Sequence, residues 1–306
     1  MNQENHRLPR ETEDEERDHR RPGLGVILLR RAWKRKITLV ALVFLVIIVS
    51  TGLLAPWITP CDPNAQNLRA RLKPPVWSES GSSEHLFGTD QLGRDVLSRV
   101  IKGSQISIGI ALAAIVVSGL LGVVLGMASG FYQGVFDTVL MRIADVQLAF
   151  PPILLAIAVI AVLGPSVRNL VLVLGVTGWV TYARVVRAET LVIGNGEFVL
   201  AARAMGMSDM RIMLFHILPN LVPSGIVVLT TQVARVIITE ASLSFLGLGV
   251  PVTTPTWGGM LSDAQAYMTT APWLATIPGV VMMLTILAIN LTGDLFRDVL
   301  DPKIID

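Results

Sequence analysis

Side chains that could support catalysis or metal binding are few in this sequence and stand far apart. The four histidines, His6, His19, His85 and His216, lie outside the long apolar stretches, and none belongs to an H-E-x-x-H pattern. The one cysteine, Cys61, cannot form an intrachain disulfide. No segment matches G-x-x-x-x-G-K followed by Ser or Thr, the loop that cradles nucleotide phosphates. We therefore expect no catalytic residue, no metal site and no cofactor on this chain.

Charged residues inside apolar stretches are the remaining candidates, because a charge in a membrane is costly and such groups face a cavity or a partner. Arg142 and Asp145, three residues apart, share one helix face, which predicts a structural ion pair. Arg235 and Glu240 are five apart and point about 140° away from each other at ~100° per residue, so they are not expected to pair. One of them is a candidate to line a polar path through the membrane or to contact another subunit.

The composition is that of an integral membrane protein. Of the 306 residues, 52% are hydrophobic and only 16% are charged, with a mean hydropathy of +0.61. A soluble domain needs a more polar surface, so a lipid-exposed surface is the simplest explanation. The net charge of +2 is too small to indicate nucleic-acid binding.

Six apolar stretches are long enough to cross a membrane, for which a helix needs about 20 residues. Trp33 and Trp57 bracket the first stretch, which Pro56 is expected to end. Pro151 and Pro152 are expected to kink the third. The predicted crossings are residues 37–55, 106–128, 139–163, 170–186, 221–245 and 273–291.

Basic residues beside the crossings indicate the orientation, because Lys and Arg are enriched in cytoplasmic flanks. They cluster before the first crossing and after the fourth, so both termini are expected in the cytoplasm, although the loop at 57–103 is also basic. Residues 1–22 are rich in Asp, Glu and Arg and are expected to be disordered; this leader argues against a cleaved signal peptide. The two clusters are Arg30, Arg31, Lys34, Arg35 and Lys36, and Arg184, Arg187, Arg203 and Arg211.

Residues 88–103 are predicted to form a short amphipathic helix on the membrane surface. Thr89 or Asp90 can cap its start, and Gly103 is expected to end it. The apolar stripe is Val96, Leu97, Val100 and Ile101.

Gly122, Gly126 and Gly130 follow at four-residue spacing in the second crossing. They leave one helix face without side chains, so another helix can approach closely. Packing within the chain is favoured over a contact with another subunit.

The segment between the fourth and fifth crossings, residues 195–219, has the composition of a docking element. It is predicted to be helical over residues 198–216, with a capped restart at Ser208 and Asp209 and closure at Pro219. Small residues around Ala201 give it a smooth surface that suits a groove in another protein. An ordinary linker is the alternative.

Several motifs in the same order resemble those of binding-protein-dependent ABC importer permeases. Residues 201–206, AARAMG, followed by HILP at 216–219, are similar to the EAA loop of that family. The runs at 88–96, 241–249 and 293–302 look like those of the C-type permease of the dipeptide, oligopeptide and nickel importers. The resemblance extends from about residue 30 to the end of the chain.

Two positions depart from the family pattern. Leu200 stands where the family usually has Glu, and Glu197, one helical turn earlier, lies on nearly the same face. His216 stands where Ile is usual. If the family Glu contributes to the ATPase contact, this chain must do without it or use Glu197.

The resemblance implies an all-α polytopic protein of the inner (cytoplasmic) membrane, with six transmembrane helices and the type I ABC importer permease fold. It implies a leader and basic juxtamembrane segment at 1–36, a first helix at 37–55, an extracytoplasmic loop at 56–103, a core permease domain at 104–293 and a cytoplasmic tail at 294–306. The residues expected to couple to the ATPase are Glu197, Leu200, Ala201, Ala202, Arg203, Gly206, Asp209, Arg211 and Pro219.

The implied function is uptake of di- or oligopeptides through a pathway of which this chain forms half. The implied partners are a homologous second permease, two ATPase subunits that hold ATP and Mg, and an extracytoplasmic substrate-binding protein. Nickel chelates, glutathione or a related small solute are alternative substrates. A secondary transporter driven by an ion gradient is an alternative of another class, although no internal repeat is detected. A membrane-embedded enzyme would need a constellation such as His and Glu within the membrane, which is missing from the spans.

Overall fold

The computed structural model describes residues 36–300, and most of them are helical. The leader at 1–35, with its predicted disorder and most of its basic cluster, lies outside the described residues, as does the end of the tail. In chain order the α-helices are α1 Lys36–Ile58, α2 Val96–Tyr132, α3 Gly134–Leu148, α4 Pro152–Leu163, α5 Val167–Gly194, α6 Glu197–Ala204, α7 Asp209–Ile212, α8 Leu218–Phe245, α9 Trp257–Ala264 and α10 Trp273–Leu300.

Within residues 36–300, five helices are long and apolar enough to cross a membrane: α1, α2, α5, α8 with the turns before it, and α10. The third predicted crossing, 139–163, is instead a broken pair, because α3 and α4 meet at an angle of 87°. Counted as one span, this pair gives the six predicted crossings.

The break between α3 and α4 follows from two prolines. Pro151 precedes α4 and Pro152 is its first residue, where a missing N–H leaves no helical hydrogen bond unmade. Proline inside a helix would remove a backbone hydrogen bond and clash with the preceding turn. The chain therefore ends α3 and starts α4 in a new direction.

The predicted short helix at 88–103 is wrong. Residues 88–95 form a turn closed by an isolated antiparallel bridge between Thr89 and Asp95. α2 begins at Val96 with Asp95 as its cap, whose carboxylate accepts a hydrogen bond from the Ser98 backbone at 2.8 Å. Asp90 closes a turn instead, by accepting the backbone N–H of Arg94 at 2.9 Å. Gly103 lies inside α2 and faces the Trp257 ring, so it does not end a helix.

The proline stop predicted at Pro56 is also wrong. Pro56 lies within the last turn of α1, which continues to Ile58. Pro219, by contrast, lies in the first turn of α8, where its missing N–H is tolerated, so it stands at the predicted boundary between the segment and the next crossing.

The protein interior is built around α2 and α5, which pack along each other. The predicted glycine face of α2 lies at this contact. A Cβ on Gly126 would lie 2.5 Å from the Ala183 carbonyl oxygen, and one on Gly130 would lie 2.7 Å from that of Arg187. Gly122 faces Tyr182 in the same way. The three glycines thus let two helices of one chain approach, as the favoured intrachain interpretation requires.

Candidate functional site

The segment between α5 and α8, residues 195–217, is called the connector here. The predicted restart at Ser208 and Asp209 is present: α6 ends at Ala204, α7 starts at Asp209 after Ser208, and a π-helical turn at Met213–Ile217 runs into α8. The Ser208 side chain makes no capping hydrogen bond. The connector therefore consists of two short helices and a π-helical turn, with a break at residues 205–208.

Gly206 makes the break in the connector. Its φ of +79° is left-handed, the conformation that glycine adopts most readily. The Gly206 N–H donates to Arg203 O at 2.9 Å, and the Met207 N–H donates to Ala202 O at 3.1 Å. These two bonds are the Schellman pattern that closes a helix C-terminus.

One side of the connector is fixed to the transmembrane helices by a hydrophobic cluster. Val199, Ala202 and Ile212 are each at most 1% exposed, and they pack with side chains from the end of α2 and from α5. The cluster is Met127, Phe131, Val186, Val199, Ala202, Ile212, Met213, Ile217 and Leu221. Close packing of this kind fixes the connector against α2 and α5.

Arg203 strengthens this attachment. Its guanidinium carbon lies 4.8 Å from the centroid of the Phe131 ring at the end of α2, which is a cation–π geometry. Ala202, one of the residues expected to couple to the ATPase, is 1% exposed and lies in the cluster, so its side chain packs within this chain.

The other side of the connector is apolar and exposed. Leu200 is 53% exposed, Met205 74% and Met210 60%, and Ala201 stands beside them. We call these four residues the connector surface. Glu197, Asp209 and Arg211 border it and are exposed as well, as is Pro219 at the start of α8. An exposed apolar patch with a charged border is typical of a protein contact site.

An ion pair that the sequence did not predict joins the helices next to the connector. Arg187 of α5 donates to both carboxylate oxygens of Asp137 of α3, with Nη2 at 2.6 Å from Oδ2, and Ser129 of α2 donates to the same carboxylate. Three helices are thereby fixed to one another at the end that carries the connector.

The predicted pair of Arg142 with Asp145 is not the one that forms. Asp145 accepts from Nη2 of Arg184 on α5 at 2.6 Å, and both side chains are about half exposed. The spacing argument considered one helix alone and missed the neighbouring helix, which offers an arginine.

Arg235 and Glu240 do not pair with each other, as their spacing predicted, and they occupy different environments on α8. Arg235 is exposed. Glu240 is fully buried and accepts a hydrogen bond from the Ser244 hydroxyl at 2.7 Å, while its Oε2 atom has no hydrogen-bond partner among residues 36–300. Glu240 thus faces the interior of this chain, and Arg235 faces away from it.

A buried charge cluster lies at the other end of α8 from the connector. Arg94 donates through Nε to Asp90 at 2.6 Å and through Nη2 to Asp263 of α9 at 3.0 Å. Nη2 of Arg99 contacts Asp263 at 3.3 Å. Sequence reasoning counted Arg94 and Arg99 only as basic loop residues. Their pairing with Asp90 and Asp263 places an opposing charge beside each buried guanidinium.

No metal centre is visible in the part of the chain that the structure describes. Within residues 36–300, no three His, Cys, Asp or Glu side chains come together in a way that could hold a metal ion. His85 hydrogen bonds through Nδ1 to the capping Asp95 at 2.9 Å, and Cys61 is exposed.

Two family models match the sequence. Residues 122–306, more than half of the chain, match the binding-protein-dependent transport system inner membrane component. Residues 24–75 match the N-terminal transmembrane domain of oligopeptide transport permease C.

Relatives with similar sequences extend over almost the whole chain. A putative peptide transport system permease protein of Brucella suis is 43% identical over 287 residues, covering 92% of this chain and 95% of the relative. The dipeptide transport system permease protein DppC of Haemophilus influenzae is 42% identical, covering 87% and 90%. The glutathione transport system permease protein GsiD of Escherichia coli is 43% identical, covering 90% and 89%.

A solved structure shares the fold. A chain from inward-facing structures of the MetNI methionine ABC transporter superposes with a TM-score of 0.55 at 18% sequence identity. The match covers 66% of this chain and 96% of that chain.

Proposed function

Because this chain belongs to the inner membrane components of binding-protein-dependent transport systems, we propose that it forms half of a transmembrane pathway that imports di- or oligopeptides. It is a multi-pass inner membrane permease with the type I ABC importer fold. The other half of the pathway comes from a homologous second permease.

Energy for transport is proposed to come from two separate ATPase subunits, which hold ATP and Mg. The observation that carries this proposal is the connector: one face is anchored to α2 and α5, and the other exposes Leu200, Met205 and Met210. An ATPase that binds the connector surface and closes on ATP would displace the connector and, through the cluster, the helices that line the pathway.

Leu200, which stands where the family usually has glutamate, fits a largely apolar contact with the ATPase. Leu200 is exposed on the connector surface, and Glu197, one turn earlier, is exposed beside it. We propose that burial of Leu200 in an ATPase groove replaces the contribution of a carboxylate there, while Glu197 remains at the rim.

Peptides are the favoured substrates because relatives over 40% identical are named as peptide and dipeptide permeases. Glutathione is the second candidate, since GsiD is equally similar. Nickel chelates have no support among the relatives described above. An extracytoplasmic binding protein is proposed to deliver the substrate.

Affinity purification of the tagged chain from its native membrane, followed by mass spectrometry, tests the assembly. We expect a second permease and ATPase subunits in the same preparation, with ATP hydrolysis that a binding protein loaded with dipeptide stimulates. If glutathione-loaded binding protein stimulates ATP hydrolysis and dipeptide-loaded binding protein does not, glutathione replaces peptides as the proposed substrate. A lone chain without any ATPase subunit would contradict the proposed function.

A further inference from the structure

A polar stripe runs along the exposed side of α8. Thr231 and Arg235 are exposed, and Thr239 and Ser242 are partly exposed. At ~100° per residue the three hydroxyl residues lie within about 40° of the direction of Arg235. We call these four residues the α8 stripe; with ~1.5 Å rise per residue it extends about 16 Å.

Arg235 lies deep in the membrane-spanning part of α8. It is ten residues from the C-terminal end of the helix at Phe245, or about 15 Å, and farther from the connector end. A guanidinium this far from either end cannot reach water along its own side chain as readily as one near a helix terminus.

The Arg235 cation has no carboxylate partner among the residues that the structure describes. Among residues 36–300, its guanidinium makes no hydrogen bond or ion pair, and the nearest acidic residue in sequence, Glu240, is buried on the opposite side of α8. The hydroxyls of the stripe donate to carbonyls of their own helix, as Thr239 does to Arg235 O at 2.9 Å and Ser242 to Ile238 O at 2.8 Å. Their oxygens can still accept hydrogen bonds from water or a ligand.

Lipid cannot cover this face at low cost. A charged side chain in hydrocarbon is strongly unfavourable, so an exposed intramembrane arginine faces water or a partner of opposite charge. A single ion pair with another subunit would account for Arg235 but not for hydroxyl residues in the turns before and after it. A continuous polar stripe is instead what a water-filled pathway requires.

We propose that the α8 stripe lines the substrate pathway and that Arg235 binds the free carboxylate of the transported solute. The proposal rests on the function proposed above, and the ligand chemistry is a carboxylate, as on the C-terminus of a peptide or on glutathione. A carboxyl terminus is ionised at neutral pH, since its ordinary pKa is about 3.5. Arginine is always charged and its planar guanidinium binds a carboxylate through two parallel hydrogen bonds.

Thiol labelling of the assembled importer in nanodiscs tests whether the stripe faces water. Cys61→Ser gives a chain without cysteine, into which Thr231→Cys, Thr239→Cys or Ser242→Cys is introduced one at a time. The control is Leu229→Cys, which is exposed but about 120° away around α8. Because a charged methanethiosulfonate reacts with thiolate in water, the stripe cysteines are expected to react roughly tenfold faster than the control. Equal or slower labelling of the stripe would overturn the proposal.

Import by the same complex in proteoliposomes tests the ligand. Ala-Phe and its C-terminal amide are each supplied with saturating binding protein, so that delivery does not limit the rate. Because Arg235→Gln removes a charge-assisted hydrogen bond, we expect that variant complex to import Ala-Phe roughly tenfold more slowly than the wild type. Arg235→Lys is expected to restore part of the import rate. The wild type is expected to import the acid faster than the amide, and Arg235→Gln to import the two equally. Arg142→Gln, an exposed arginine on α3, is the control and is expected to resemble the wild type.

Two results would overturn the assignment of the ligand. An unchanged ratio of acid to amide in Arg235→Gln would mean that Arg235 does not contact the carboxylate. Loss of the second permease from the purified Arg235→Gln complex would make the residue a subunit contact instead. Failure of the wild-type complex to import either compound would count against the proposed function, whereas the labelling result would still report on the stripe.

Discussion

The Nη2 atom of Arg94 lies 3.0 Å from the Oδ2 atom of Asp263, which joins the start of α2 to α9 across 169 residues of sequence. Arg99 shares the same carboxylate oxygen, and Asp90 binds Arg94 from the other side. Both arginines are almost fully buried, whereas the Asp263 side chain is 25% exposed. Asp263 therefore balances two buried cations.

Replacing Asp263 tests this cluster. Asp263→Asn keeps the shape but leaves two buried guanidinium groups with less opposing charge, which is expected to lower the free energy of unfolding by about 3 kcal/mol. The measurement is thermal unfolding in detergent. Glu79→Gln, an exposed carboxylate before α2, is the control and should leave the unfolding temperature unchanged. Equal effects of the two substitutions would show that the cluster adds no stability.

The contact between α2 and α5 can be tested with one methyl group. A Cβ on Gly126 would lie 2.8 Å from the Ala183 Cα atom, so Gly126→Ala must move backbone and is expected to destabilise the protein by about 2 kcal/mol. Gly109→Ala lies in the same helix with nothing within 4 Å of the new atom. Its higher helix propensity predicts equal or slightly greater stability. The unfolding temperatures of the two variants are compared in detergent. Equal unfolding temperatures would contradict the close packing at Gly126.

The two ion pairs of α5 are expected to differ in strength. Arg187 and Asp137 are 30% and 14% exposed, whereas Arg184 and Asp145 are each about half exposed. Arg187→Gln should therefore cost about 2 kcal/mol, because it leaves Asp137 partly buried without its cation. Arg184→Gln should cost less than about 1 kcal/mol, since water screens that pair. We therefore expect Arg187→Gln to unfold at a lower temperature than Arg184→Gln, and the reverse order would refute the argument from burial.

A charge on the connector surface is expected to weaken the contact with the ATPase. Met205 is 74% exposed, so Met205→Asp should leave the fold intact but place a charge in an apolar contact. We expect roughly tenfold less ATPase subunit to copurify, which corresponds to a loss of about 1.4 kcal/mol in binding. Met268→Asp, half exposed near α9, is the matched control. Undiminished recovery of the ATPase subunit with Met205→Asp would show that the connector surface does not form the ATPase contact.

The family and the membrane-spanning helices could be predicted from the sequence because both depend on local patterns. Apolar runs located α1, α2, α5, α8 and α10, although their ends were misplaced by up to ten residues. The resemblance seen in the connector and three further motifs is confirmed by the family models and relatives.

The contacts between distant residues could not be predicted in this way. Asp263 lies 169 residues from Arg94, and nothing in either local sequence indicates the other. The helix-spacing rule chose Arg142 for Asp145 because it describes one helix, whereas Arg184 comes from another. The exposed state of Arg235 and the buried state of Glu240 likewise depend on packing; their spacing established only that they point apart.

Dipeptide uptake into proteoliposomes that contain this chain, its second permease and its ATPase subunits tests the central claim most directly. With the binding protein outside and ATP available to the ATPases, we predict accumulation of Ala-Phe that requires hydrolysable ATP and disappears when this chain is omitted. Accumulation that follows an imposed proton or sodium gradient and proceeds without ATP would contradict the account and favour a secondary transporter.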